Sequence, residues 1–346
     1  MNGSAPPPAG TPGHTPGKGP LTRDLVLVGL AAAASAVLFL SLTTGMGAAS
    51  FVVHFVQLPL VFVGMAVGLG GASMSAALAM AVVLVFGSWM AALTFALIEI
   101  GPSLIAVRHA LLSRRGSPGA PAPSSPAGPS SGQPAGGSVE WYPAGAVLGR
   151  LTLYLAALMI AALLVVQMRT GDAHGAFASA LAQVLAQMGP EVAQSGLFAA
   201  AGRMVAVMPG LIAGSLLLVS VLNALAGTAL ARLQGRCPRP AGGLRTMTLP
   251  PWCLPALAVA MAASFLLQPG FTSMLAQSAA LLMTVPFLLL GLTLVHTLAG
   301  RSGTPRLMLA VFYLMLLLFS LPVVPIVIGI GLLEDRLRLR ARAGPG

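Results

Sequence analysis

Residues 72–112 read ASMSAALAMAVVLVFGSWMAALTFALIEIGPSLIAVRHALL, and this stretch leaves few choices of fold. It is 41 residues long, and its only Asp, Glu, Lys or Arg side chains are Glu99 and Arg108. A helix needs about 20 apolar residues to cross a bilayer, so the stretch holds two crossings rather than one. The segment Gly87–Trp89 has the small and polar residues of a turn, and we place the boundary between the two helices there.

The composition of the whole chain extends this interpretation. Of its 346 residues, 57% are hydrophobic and 7% are charged, whereas an average soluble domain has about 25% charged residues. Water has to be met by polar surface, but lipid can be met by leucine. The sequence therefore predicts an all-α fold, a polytopic transmembrane helical bundle, and excludes an ordinary soluble domain.

Nine apolar runs are separated by polar or turn-forming residues. They cover residues 24–44, 51–69, 72–88, 90–112, 146–168, 198–231, 252–268, 272–299 and 307–333. We interpret the first eight as full spans. After the fourth run, the sequence GSPGAPAPSSPAGPSSGQPAGGSVE has almost nothing to bury, which predicts a disordered loop.

These features divide the chain into five segments. They are a disordered N-terminal tail at 1–23, four transmembrane helices at 24–112, a Pro/Gly/Ser-rich cytoplasmic loop at 113–145, the remaining transmembrane helices at 146–335, and a basic C-terminal tail at 336–346. Apolar residues at helical spacing near 176–188 predict an interfacial helix on the outer side, with a simple loop as the alternative.

The basic residues indicate how the chain threads. The formal net charge is +11, but the basic residues form no single patch with interleaved aromatic side chains, so nucleic acid is not expected as a partner. Eleven of the 18 lysines and arginines lie in four clusters: Lys18 with Arg23; Arg108 with Arg114 and Arg115; Arg232, Arg236, Arg239 and Arg245; and Arg301 with Arg306. If the N-terminus is cytoplasmic and eight runs cross once each, all four clusters face the cytoplasm, as the positive-inside rule requires. The expected location is the bacterial cytoplasmic (inner) membrane, with the lipid bilayer as a partner.

The ninth run does not fit this scheme if it crosses once, because the arginines from Arg336 onward would then lie outside. Pro322 and Pro325 each remove a backbone donor in the middle of the run. We therefore predict a proline-broken C-terminal helical hairpin, with one arm at 307–321 and a shorter returning arm that brings Glu334 to the cytoplasmic surface. A kinked single crossing with an external tail is the alternative.

Several kinds of chemistry lack the residues they need. Lys18 is the only lysine, so the chain has no GxxxxGK[ST] phosphate-binding loop and does not hydrolyse ATP by itself. The sequence contains no HExxH helix, and its GxSxG match, at 128–132, lies in the Pro/Gly/Ser-rich loop, where no strand-to-helix elbow is expected. Cys237 and Cys253 form no CxxC pair, and the histidines are scattered. We predict no enzymatic activity, no cofactor and no metal site.

Polar side chains inside the spans are the remaining signal of function. Glu99 lies near the middle of the fourth run, where an ionised carboxylate costs at least about 2.5 kcal/mol unless it is paired or hydrated. It is either a ligand or proton site facing a cavity, or a structural partner of a histidine or arginine on a neighbouring helix. The predicted substrate-binding residues are Glu99, His54, Arg203, Asn223 and His296, with Gln57 as a further polar partner.

Several motifs carry a resemblance to a known family. They are ALLSRRG, VEWYPAG at 139–145, LPPWCLPALAVA at 249–260, VPFLLLGLTLVHTLA at 285–299, VFYLMLLLF and GLLEDRLRLR. In these motifs the chain resembles the YybS-like family of uncharacterised bacterial polytopic membrane proteins. That family is similar in architecture to the substrate-binding subunits of energy-coupling-factor transporters, which bind vitamins or metals and use an ATPase from partner chains. The resemblance implies a membrane class and, by analogy, a small-molecule role.

Together these observations favour an integral inner-membrane protein that binds a small solute as a transport subunit without its own ATPase. Its expected partners are other membrane proteins or an ATPase module. The alternative is a structural or assembly factor of the membrane that binds other proteins through its small-residue faces and arginine loops.

Overall fold

The computed structural model describes residues 20–43, 53–115, 139–187, 202, 204–240 and 247–337. These residues form eleven α-helices and one two-stranded antiparallel sheet. The first part contains α1 (Pro20–Thr43), a 3-10 turn (Val53–Phe55), α2 (Gln57–Val67), α3 (Leu69–Phe86), α4 (Trp89–Leu111 with a π-helical turn at Ala96–Ile100), β1 (Ser113–Arg115) and β2 (Val139–Trp141). The second part contains α5 (Ala144–Thr170), α6 (Ala173–Gln187), α7 (Met208–Leu233), α8 (Cys253–Leu266), α9 (Phe271–Ala299), α10 (Pro305–Leu318) and α11 (Ser320–Leu337).

The predicted all-α helical bundle is confirmed, and six of its helices are long and apolar enough to cross a membrane. They are α1, α3, α4, α5, α7 and α9. Two of the eight predicted spans, at 51–69 and 252–268, instead contain helices of 11 and 14 residues. These helices are about 16 and 21 Å long, less than the hydrocarbon thickness of about 30 Å.

The first four helices nevertheless run up and down beside one another. Val28 of α1 packs with Val63 of α2, and the Ser35 hydroxyl of α1 donates to the Val56 carbonyl at 2.9 Å, so α2 is antiparallel to α1. Gly68, with φ of 107°, then makes the tight turn from α2 into α3, a conformation that glycine adopts without steric cost. The predicted boundary at Gly87–Trp89 is confirmed, because Ser88 caps α4 there.

Helix α9 is the central element of the second half, where it packs against α5, α7, α8 and α11. Backbones approach closely at its glycine contacts. Gly210 of α7 lies against the backbone of Ser278, and Gly214 lies against Val285 further along α9, so α7 and α9 run in the same direction. In lipid, where hydrophobic burial does not drive helix association, such close van der Waals packing stabilises helix pairs.

The basic clusters around α1, α4 and α7 meet at one end of the bundle, as the predicted threading requires. Arg236 forms an ion pair with Asp24 at the start of α1. Arg239 donates to the Ala110 carbonyl at 3.0 Å and to the Tyr142 carbonyl at 2.9 Å. Partial burial and the neighbouring Arg232 lower the pKa of Arg239. We call this region the basic end; Lys18 and Arg245 lie outside the described residues.

The loops contain more structure than the composition predicts. Residues 113–115 and 139–141 of the predicted loop at 113–145 form a two-stranded antiparallel sheet, in which Arg114 pairs with Glu140 at 2.8 Å. The rest of that loop, the tail before residue 20 and the residues after 337 lie outside the described residues. The helix expected near 176–188 is present as α6, whose Leu185 is buried.

The C-terminal segment breaks, but not as expected. The break is at Phe319, and both Pro322 and Pro325 lie inside α11. Pro322 is the third residue of that helix, where backbone N–H groups have no partner within the helix, so it is tolerated. The second arm, with 18 residues, is also longer than the first, with 14.

The direction of α11 also differs from the prediction. Gly331 lies against the Phe287 carbonyl and Gly291 lies against the Val327 carbonyl, so α11 is antiparallel to α9. The predicted returning arm runs in the same direction as α9, so its predicted direction is wrong. That Glu334 lies at the cytoplasmic surface stays a prediction.

Substituting Gly331 tests this helix contact. A Cβ atom there would overlap the Phe287 carbonyl, so Gly331→Ala should destabilise the protein by about 1–3 kcal/mol, as overpacking does. Gly329→Ala in the same helix is the matched control, because its Cβ would meet open space. Thermal unfolding in detergent should separate the two variants, and equal midpoints would contradict the α9–α11 packing.

Candidate functional site

Helix α4 contains a π-helical turn at Ala96–Ile100, one turn before Pro102. Proline has no backbone N–H, so it leaves the Ile98 carbonyl, four residues earlier, without its α-helical donor, and its ring crowds that carbonyl. The helix widens accordingly, and the Gly101 N–H donates to the Ala96 carbonyl five residues earlier. Such π-helical turns occur frequently at functional sites.

Side chains satisfy three successive carbonyls of this turn. The Gln57 amide of α2 donates to the Ile98 carbonyl at 3.0 Å, and the Tyr154 hydroxyl of α5 donates to the Leu97 carbonyl at 2.8 Å. The Ser103 hydroxyl donates to the Glu99 carbonyl at 2.7 Å. Tyr154 can approach because Gly101 has no side chain; a Cβ at that position would overlap the phenol oxygen.

The Glu99 carboxyl group belongs to the same turn and is buried, with 9% of the residue exposed. The Gln57 side chain lies within hydrogen-bonding reach of it. Within the described part of the chain, no lysine, arginine or histidine forms an ion pair with it. The sequence predicts a histidine or an arginine as the structural partner of Glu99. In the described residues, the side chain next to the carboxyl group is instead the neutral amide of Gln57.

Helix α7 reaches the segment just before Gln57 from another side. The Asn223 amide nitrogen donates to the His54 carbonyl at 2.6 Å and to the Val219 carbonyl at 2.8 Å. The Oδ1 atom of Asn223 and the hydroxyl of Ser220 are buried, and no residue in the described part of the chain forms a hydrogen bond with either. We call the group formed by Ser35, the 54–57 segment, Glu99, Ser220 and Asn223 the polar layer.

The predicted binding residues have different positions in the structure. Glu99 and Asn223 both belong to the polar layer. His54 contributes its backbone carbonyl, while the residue itself is exposed. His296 is not part of the layer: it contacts the Tyr313 hydroxyl of α10 at 3.3 Å. The position of Arg203 lies outside the described residues.

Sequence reasoning missed Tyr154, Ser103 and Ser220. Pro102 signals only that the Ile98 carbonyl needs a donor from elsewhere. The Leu97 carbonyl, to which Tyr154 donates, loses its donor because the Gly101 N–H donates to Ala96 instead. The described residues contain no group of three His, Cys, Asp or Glu side chains that could hold a metal ion.

Comparison with known proteins adds no assignment. No protein-family model, no curated protein and no solved structure matches the chain. The resemblance to the YybS-like family stays a prediction, and the function has to be argued from the geometry.

The link between Pro102 and Gln57 can be tested by a double-mutant cycle. Gln57→Leu should destabilise the protein by about 1–3 kcal/mol, because it leaves the Ile98 carbonyl without a donor. Adding Pro102→Ala should recover part of this loss, because alanine restores an N–H to the helix. Thermal or denaturant unfolding in micelles gives the four stabilities.

The control for the cycle is Gln183→Leu, at an exposed position on α6. We expect it to change stability by less than about 0.5 kcal/mol. Strict additivity of the Gln57 and Pro102 substitutions would contradict the proposed exchange of donors.

Proposed function

We propose that this protein is a multi-pass protein of the bacterial cytoplasmic membrane that binds a small solute at the polar layer. It acts as a transport subunit without an ATPase of its own. The observation that carries the proposal is Glu99: a buried carboxyl group in the middle of a membrane-length helix, whose described side-chain partner is an amide.

Such a carboxyl group is costly to keep for structure alone. An ionised side chain inside a bundle normally has a charged partner or a hydrated cavity, and intramembrane carboxylates mark ion or substrate pathways. Hydrogen bonds from α2 and α5 also hold the turn that contains Glu99, so the turn has a fixed orientation. Fixed orientation of this kind is what a binding site requires.

We propose binding rather than catalysis. The layer offers one carboxyl group, two amides and two hydroxyls, which suit the recognition of a polar solute. Since the sequence has no phosphate-binding loop, ATP-driven transport would need a partner chain that hydrolyses ATP. The basic end is the face on which a cytoplasmic module would dock, if the arginines there are cytoplasmic.

A structural or assembly role is the second candidate. It is favoured by α10, an apolar helix that buries none of its residues against the rest of the chain. Either lipid or another membrane protein covers that surface. This role predicts a co-purifying protein and no bound solute.

Native mass spectrometry of protein released from lipid nanodiscs tests the leading proposal. The wild type should carry a small ligand, and Glu99→Gln should reduce its occupancy at least tenfold, because the amide keeps the shape of the carboxyl group but loses its charge. Glu140→Gln is the matched control, since that carboxylate is exposed on β2. In the absence of ligand, the thermal midpoint of Glu99→Gln should lie within about 2 °C of the wild type, a shift that corresponds to roughly 1 kcal/mol for a chain of this length.

A protein partner without any small ligand would favour the assembly role. A ligand retained equally by wild type and Glu99→Gln would contradict the proposed site.

The orientation can be tested by cysteine labelling in a variant lacking Cys237 and Cys253. We expect Asp172→Cys, between α5 and α6, to react with a membrane-impermeant thiol reagent in intact cells from which the outer membrane barrier is removed. Ser302→Cys, between α9 and α10, should react only after lysis, because the positive-inside rule places Arg301 and Arg306 in the cytoplasm. The reverse labelling pattern would place the basic end outside.

A further inference from the structure

Two oxygen atoms of α7 are buried without a partner, at positions one helical turn apart. Ser220 is 1% exposed and Asn223 is 3% exposed, and among the described residues neither Ser220 Oγ nor Asn223 Oδ1 has a hydrogen-bond partner. Buried polar atoms in folded proteins are nearly always satisfied, by protein groups, ordered water or a ligand, so this pair can take a further partner.

The orientation of the Asn223 amide follows from its surroundings. Its nitrogen donates to two carbonyls, of His54 and Val219, at 2.6 and 2.8 Å. Flipping the amide would place Oδ1 against both of those acceptors. Oδ1 is therefore the atom left without a partner, and it is an acceptor only.

Ser220 differs from the other hydroxyl residues of its helix. Ser215 donates to the Ile212 carbonyl at 2.8 Å, and Thr228 donates to the Ala224 carbonyl at 2.7 Å. These bonds to the preceding turn are the usual solution for a hydroxyl in an apolar helix. Ser220 makes no such bond, and residues three apart share a helix face, so its oxygen lies on the same side of α7 as Asn223.

The charge around this face restricts what can occupy it. Asn223 contacts the chain at His54, and Gln57, three residues later, lies within reach of the Glu99 carboxyl group. A carboxylate and an orphan acceptor repel an anion in a medium of low dielectric constant. A cation would satisfy the oxygens and also offset the charge of Glu99. A divalent ion is disfavoured, because Mg²⁺ and Ca²⁺ take more oxygen ligands, usually with more than one carboxylate.

We propose that Ser220 Oγ and Asn223 Oδ1 form part of a binding site for a small monovalent cation, either an alkali ion or an ammonium ion. This inference rests on the proposed function, because it names the class of the solute that the polar layer binds. Both oxygens lie in the interior of α7, a membrane-length helix that packs on α2. Asn223 contacts the 3-10 turn at Val53–Phe55, just before α2 begins. Ion sites in membrane transporters are built from such elements.

The experiment measures thermal unfolding of the full-length protein in nanodiscs of uncharged lipid. The chloride salts of sodium, potassium, ammonium and N-methylglucamine are compared at constant ionic strength, with N-methylglucamine acetate as the anion arm. At least one small cation should raise the midpoint progressively with its concentration, by about 4 °C at roughly a hundred times its dissociation constant, relative to the bulky cation. The comparison of sodium with ammonium shows which kind of ion is bound.

Ser220→Ala should weaken the apparent affinity for that cation at least tenfold, whereas Ser215→Ala should leave it unchanged. In N-methylglucamine chloride, Ser220→Ala should be as stable as the wild type or more stable, because it removes an unsatisfied hydroxyl. This second readout separates loss of a ligand from a failure to fold.

Identical midpoints in all the cation salts would overturn the proposal, as would equal affinities in the Ser220 and Ser215 variants or a shift caused by acetate. If no cation acts, but mass spectrometry finds a neutral or anionic ligand that depends on Glu99, the solute-binding proposal stands and the cation site is wrong. If neither is found, both proposals fail.

Discussion

The need to satisfy every backbone polar group without water is the constraint on which this structure depends. In hydrocarbon an unpaired carbonyl costs several kcal/mol, so a helix that loses a donor has to obtain another from a neighbour. Pro102 creates this situation in the middle of α4. The π-helical turn, Gln57 of α2 and Tyr154 of α5 resolve it, and in doing so they join three helices at one depth. Here one proline without a backbone N–H determines which helices have to meet.

Glycine has the complementary role of allowing helices to meet closely. Gly101 makes room for the Tyr154 hydroxyl, and Gly291 and Gly331 let the backbones of α9 and α11 approach each other. Because lipid solvates leucine as well as another leucine does, these close contacts and the few interhelical hydrogen bonds have to supply the specificity of packing. The polar layer is therefore part of the reason that the bundle has one arrangement, as well as being a site for chemistry.

The polar groups of the layer connect structure to function, because the same groups position the helices and can bind a solute. A layer built only for packing would satisfy all of its members, as the Ser35 hydroxyl does with the Val56 carbonyl. Instead, Glu99 has an amide for its described side-chain partner, and Ser220 and Asn223 each keep an oxygen unpaired. Polar groups that folding leaves without a hydrogen-bond or charge partner in an apolar interior are those that a bound solute can satisfy. The proposals of solute binding and of cation binding both follow from this difference.

The sequence by itself determined the all-α class of the protein, the turn at Gly87–Trp89, the grouping of arginines at one end and the position of Glu99 inside a long apolar helix. These conclusions depend on composition, spacing and charge, which act locally or through the bilayer as a whole. Only the tertiary structure decided that Gln57 is the partner of Glu99, that His296 is not part of the polar layer, and that the C-terminal break falls at Phe319. It also decided the direction of α11. The contact of Gly331 with Phe287 fixes that direction, and the apolar sequence around either residue does not indicate that the two meet. Pairing between helices depends on which small residues and unpaired carbonyls face each other. The local sequence of an apolar helix does not show which neighbouring helix it will contact.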